Sequence, residues 1–149
     1  MHILVIEDNY FKREKVVDYL VQEQGAQVSE AASYNSGLST ASARLFDLVV
    51  LDMSMPTFDR TDTDRGGRFR TLAGKEIITR LKKLNRLSPF VVLTGYTDFS
   101  DETKNLTIDQ IADLLAVVGE QYRGTIFFDS ANSRWKESLA DVIGALSPC

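Results

Sequence analysis

Cysteine occurs once in this chain of 149 residues, at Cys149, which excludes an intrachain disulfide framework and a cysteine-based metal cluster. Proline and glycine are sparse, at 3 and 9 residues, and no low-complexity tract or internal repeat interrupts the chain. No apolar run approaches the roughly 20 residues of a membrane span. The opening "MHILVIEDN" is not a secretory leader, because its apolar stretch is short and ends in two acids. Excess positive charge is missing too. The formal net charge is −4, so a general nucleic-acid binder, which needs a basic surface, is not expected. These absences leave a soluble cytoplasmic protein with no membrane partner. With 44% hydrophobic and 26% charged residues it has an ordinary globular composition. Its length fits one domain that buries roughly 70% of its unfolded surface.

What is present is an alternation of two patterns. "HILVI" (2–6), "LVVL" (48–51), "FVVLT" (90–94) and "TIFF" (125–128) are continuous apolar runs, as expected of strands covered on both faces. "AQVSEAA" (26–32) is a weaker strand. Between them lie amphipathic helical stripes. Val16, Val17, Leu20 and Val21 mark one over 10–24, closed by Gly25. Ile77, Ile78, Leu81 and Leu84 mark another over 74–86. Thr107 and Gln110 form a capping-box pair ahead of Ile108, Ile111, Leu114, Leu115 and Val118. Trp135, Leu139, Val142, Ile143 and Leu146 stripe the last helix. The order βαβαβαβαβα predicts a parallel sheet with helices on both faces and right-handed crossovers.

In such folds the working site lies at the carboxyl ends of the strands. Glu7 and Asp8 follow the first strand, Asp52 the third, Thr94 ends the fourth, and Phe128 and Asp129 close the fifth. Converging carboxylates raise one another's pKa unless a cation lies among them, and oxygen donors suit Mg²⁺. An Asp in such a site can act as a nucleophile toward phosphorus, and a Thr hydroxyl can donate to a phosphoryl oxygen. Singly, each of these residues reads as a solvated strand cap. Together, at strand ends in register, they point to a site.

"ILVIEDN", "DLVVLDMSMP" and "VVLTG" resemble the first-, third- and fourth-strand motifs of the response-regulator receiver domain of two-component signalling. The resemblance spans essentially the whole chain. It implies a five-stranded flavodoxin-like α/β fold, with Asp52 as phosphoacceptor and Glu7, Asp8, Asp52 and the Ser54 backbone carbonyl as Mg²⁺ ligands. Thr94 would be the hydroxyl that follows the phosphoryl group, with Gly95 the small residue beside it. A histidine kinase or phosphotransfer protein would be the phosphodonor, and a downstream protein, or a homodimer through the last helices, would carry the output.

Three departures stand out. The family's lysine after the fifth strand is replaced by Phe128 or, with a one-residue slip, Asp129; Lys136 lies a turn or two further on. At least one of Phe127 and Phe128 is expected to pack against the last helix. The stretch from Pro56 to Gly74, the glycine expected to open the third helix, is longer than the ~12–15 residues of ordinary loops. Within it, 57–73 reads as a flexible solvated loop whose Asp and Arg residues neutralise each other. "DRTDTD" lacks the spacing and closing Glu of a calcium loop, and "RGGRFR" is a local basic patch that could grip an acidic partner or nucleic acid. Finally, the path from Thr94 to the fifth strand is long, and the family's aromatic switch position falls near Thr125, leaving Tyr96 and Phe99 as candidates. Three functions fit these residues: a phosphorylated receiver, a pseudo-receiver that binds a partner without a phosphorylation switch, and a Mg²⁺-dependent phosphohydrolase. The last has no evident general base, and Asp52 lacks a second Asp two residues on.

Overall fold

In the computed structural model, which describes residues 1–95 and 106–146, the apolar runs become parallel strands at the places the sequence assigns. In chain order the elements are β1 (His2–Ile6), α1 (Tyr10–Gln22), β2 (Gln27–Ala31), α2 (Tyr34–Ala43), β3 (Leu48–Leu51), β4 (Met55–Pro56), β5 (Phe69–Arg70), α3 (Ala73–Lys83), β6 (Phe90–Thr94), α4 (Ile108–Ala116), β7 (Tyr122–Phe127) and α5 (Arg134–Leu146). The main sheet runs β2-β1-β3-β6-β7, with every neighbouring pair parallel. This is the flavodoxin-like order, whose switch point lies between β1 and β3.

Alternation along the strands divides the core in two. Leu4 and Ile6 of β1 face one layer with Val49 and Leu51, against Ile77, Ile78 and Leu81 of α3. Ile3 and Val5 face the other, with Leu20 of α1 and Trp135, Leu139 and Ile143 of α5. The helical stripes are narrower than their sequence patterns. Val21, Leu84 and Leu114 are exposed, because the helices bury only the side turned to the sheet. The weaker strand expected over 26–32 forms as β2 and lies at an edge of the sheet. The α4 capping box is formed, with Thr107 accepting from the Gln110 backbone N–H at 3.2 Å.

Register sets up the site. Ile6 pairs with Leu51, so Glu7 and Asp52 leave adjacent strands side by side. The Asp52 N–H donates to Ile6 O at 3.2 Å, carrying the ladder one step beyond the strands. Gly74 lies in the first turn of α3, with its N–H on Met53 O at 2.9 Å. A Cβ there would stand 2.5 Å from Asp52 O, so glycine is what lets α3 start directly behind the acid.

Of the expected loop 57–73, Ala73 is already the buried first residue of α3, and 57–72, solvated apart from buried Gly66, are tied down rather than open. β4 and β5 pair antiparallel. Thr57 N–H on Arg68 O at 3.0 Å and Phe58 N–H on Gly66 O at 2.8 Å extend that pairing into a hairpin. Gly66 and Gly67 both turn at positive φ, 91° and 70°, a conformation glycine adopts without strain. Asp59 accepts from the Ser36 hydroxyl at 2.7 Å, fastening the hairpin to the start of α2. The expected mutual neutralisation of Asp and Arg within this stretch does not occur at Arg60 and Arg70, which pair outward with Asp8 and Glu76. Tyr96 and Phe99 lie outside the described residues.

Candidate phosphoryl-transfer site

Glu7, Asp8 and Asp52 line one cavity of 590 Å³ at the carboxyl end of the sheet, together with Lys12, Arg60, Gly95 and Phe128. Glu7 and Asp52 are buried, and Asp8 is partly exposed. The Met53 N–H donates to Asp52 Oδ1 at 2.7 Å, and the Asn9 N–H donates to Glu7 Oε2 at 3.0 Å. Thr94 is buried at the end of β6, where its carbonyl accepts the Phe128 N–H at 2.8 Å. The Ser54 hydroxyl donates to Thr71 O at 2.7 Å, so its side chain faces the loop.

A cation reaches Asp52 from α1. Lys12 Nζ donates to Asp52 Oδ2 at 3.0 Å and to Leu93 O at 2.6 Å, and forms an ion pair with Glu7 Oε1. Among the described residues that contact is the partner of Glu7 Oε1, which makes no other hydrogen bond there. An ammonium has three donors, and all three are used. Among the described residues Lys12 is the one cation paired with Asp52. Burial lowers the affinity of the Lys12 amine for its proton, but the Asp52 and Glu7 charges outweigh it, and its pKa is raised. Burial pushes the Glu7 carboxyl the other way from its usual range, up to about 7, against the pull of Lys12.

Lys12 was hidden in the sequence because it reads as part of a solvated helix face. One signal was available. It occupies the third helical position after the Asn9 cap, and α1 carries no acid in its first turn. A lysine at a helix N-terminus opposes the helix dipole, so it needs carboxylates elsewhere to hold it.

The last strand is filled differently. Phe128 is buried with its ring 5.2 Å from that of Trp135, which realises the expected packing on the last helix, whereas Phe127 is exposed. Phe128, not Asp129, faces the cavity. Asp129 instead accepts from the Ala131 N–H at 2.9 Å and from Asn132 Nδ2 at 3.1 Å in the turn that follows. Lys136 is no substitute cation. Its ammonium lies 3.7 Å from Glu23, at the C-terminal end of α1. Thr125, at the expected switch position, shares a 2.5 Å hydrogen bond with the Tyr122 hydroxyl.

Hard oxygen donors on adjacent strand ends fit Mg²⁺ in kind. As the side chains stand, Lys12 bridges Glu7 and Asp52 while Arg60 holds Asp8 at 3.1 Å. Among the described residues, therefore, no three acids already surround one point.

The fold and this cavity define a receiver-type module. A family model, the response regulator receiver domain, matches residues 3–116, and the chain belongs to that family. It is 26% identical over 151 residues to the Detocs response regulatory protein DtcB of Enterobacter cloacae, covering 98% of this chain and 100% of that protein. It is 24% identical over 143 residues to the uncharacterized protein y4jR of Sinorhizobium fredii, covering 93% and 94%. Among solved structures it is similar to the receiver domain of the putative response regulator NarL from Mycobacterium tuberculosis, with TM-score 0.65, 18% identity, and 97% and 94% of the two chains covered. Response regulator TrrA from Thermotoga maritima, in complex with Mg(2+)-BeF, is similar with TM-score 0.61, 18% identity, and 95% and 97% covered. Among the described residues no helix is long and apolar enough to cross a membrane.

Proposed function

We propose that residues 1–149 form one receiver domain that accepts a phosphoryl group on Asp52 with Mg²⁺ and signals through protein contacts. The observation that carries this reading is the state of the Asp52 carboxylate. It ends the central strand, with Oδ1 fixed by a backbone N–H and Oδ2 beside a lysine in an open cavity. The donor would be a phosphorylated imidazole of a histidine kinase or phosphotransfer protein. An Asp52 oxygen attacks phosphorus, the new O–P bond forms, and the P–N bond breaks. The imidazole nitrogen leaves with the electron pair and takes a proton from solvent. Glu7, Asp8, Asp52 and the Ser54 carbonyl would hold Mg²⁺. The chemistry supplied by that ion is neutralisation of charge as the two anionic groups meet. Thr94 would donate its hydroxyl to the bound phosphoryl group. Output would pass to a downstream protein or through a homodimer.

A second reading, a pseudo-receiver that binds its partner without a phosphorylation switch, is favoured by one observation. Uncompensated buried acids would be costly to keep without a ligand, but these acids are compensated internally by Lys12 and Arg60. Intact-mass and NMR measurements with Mg²⁺ and beryllofluoride or a small phosphodonor separate the two. The receiver reading expects an adduct that Asp52→Asn abolishes. A wild-type chain that takes no adduct and shows no shift leaves the pseudo-receiver.

A further inference from the structure

The geometry points to Lys12 as the residue that contacts the phosphoryl group on Asp52, supplied from the first turn of α1 in place of a last-strand lysine; this rests on the receiver reading above. Lys12 Nζ is 3.0 Å from the Asp52 oxygen and is anchored at 2.6 Å to Leu93 O, so its charge is held beside the acceptor before any donor arrives. Its side chain is 10% exposed, which keeps the charge in a poorly screened place. The ammonium lies 5.6 Å from the centroid of the Phe128 ring. The aromatic at the last-strand position thus forms a wall beside a charge that comes from α1.

Phosphorylation adds about −1.5 to −2 charge at this point. A lysine is a compact point charge on a flexible four-carbon stem. Lys12 can therefore exchange its Asp52 oxygen for a phosphoryl oxygen while keeping Glu7 and Leu93 O as partners. The contact is an ion pair and a hydrogen bond, and no bond to Lys12 is made or broken.

The test uses the full chain with Mg²⁺ and acetyl phosphate, following adduct formation and loss by intact mass. Lys12→Gln is expected to slow acceptance or shorten retention by about tenfold or more. Phe128→Lys in the Lys12→Gln background should restore part of it, since that side chain starts from the wall of the same cavity. Should Lys12→Gln fail to fold by circular dichroism, the wild-type chain still decides. Its Lys12 side-chain ammonium resonance should move on beryllofluoride addition, and should not move in Asp52→Asn. A merely structural lysine would leave that signal in place. Equal rates in Lys12→Gln, or an unmoved Lys12 signal while wild type carries an adduct, overturns the assignment and leaves the receiver reading standing. A wild-type chain with no adduct at Asp52 overturns both.

Discussion

Lys12 and Arg60 both set positive charge against the strand-end carboxylates, yet the two are built in different ways. Lys12 rises from a regular helix, is nearly buried, and has three partners, Glu7 just after β1, Asp52 just after β3 and Leu93 on β6. Arg60 sits on a hairpin, with its side chain 52% exposed, and reaches Asp8 alone. Buried charges cannot lose a partner cheaply, whereas an exposed pair is screened and worth little. The site thus has a fixed cation and a more exchangeable one.

The largest effect that would break this contrast is removal of the fixed cation. Lys12→Met should cost on the order of 3–5 kcal/mol at pH 8, because two buried carboxylates lose their partner; urea unfolding measures it. A loss below about 1 kcal/mol would mean that water satisfies the acids and that Lys12 is as replaceable as Arg60.

The second effect concerns Glu7. Its folded pKa of about 7 lies above the ordinary 4.5, chiefly through burial, so the folded state holds this proton more tightly than the unfolded one. The sign follows from linkage. Its contribution is fully present below pH 4.5 and is lost as pH rises through about 7. Thermal melts should show stability falling over that window by a few kcal/mol at most, and Glu7→Gln should flatten the curve. A wild-type curve that is flat, or that rises, would show the Lys12 attraction winning over burial.

A smaller effect tests the hairpin that carries Arg60. Hydrogen bonds from Ser33 and Ser36 hold the Asp59 carboxyl below its usual range. The stability this lends is present above pH 3.8 and is lost as pH falls below it. Protection of the Thr57 and Phe58 amides, taken relative to their intrinsic exchange rates, should fall on acidification, and should already be low at neutral pH in Asp59→Ala. Exchange insensitive to both changes would detach the hairpin from α2.

The smallest expected effect on stability comes from Arg60→Ala, at about 1 kcal/mol or less. Its visible consequence should be tighter Mg²⁺ binding by titration, since Asp8 is released. Unchanged Mg²⁺ affinity would remove Arg60 from any gating of the metal place.

Most of the sheet could be read from the chain because its strands are short, apolar and covered on both faces, so that position and burial coincide. The strand-end rule then brought Glu7, Asp8 and Asp52 together without knowledge of a single contact. Lys12 resisted the same treatment. A helix position fixes where a side chain starts, but the four-carbon stem decides where its charge ends, and here it crosses to three strands. The hairpin resisted for another reason. The pairing of Met55 with Arg70 and Pro56 with Phe69 joins residues far apart in sequence, with strands too short to show a period. Only the adjacent Gly66 and Gly67 signal the turn.

The position of Lys12 also has a meaning for ancestry. Glu7 and Lys12 stand five positions apart across the β1–α1 junction, so this acid and its cation can be inherited as one short block rather than as a pair separated by most of the domain. Where a fold needs charge at a point in space, the residue that provides it is free to change its address. Comparing sequences column by column would look for the cation after the last strand, while counting charges around Asp52 finds it at Lys12.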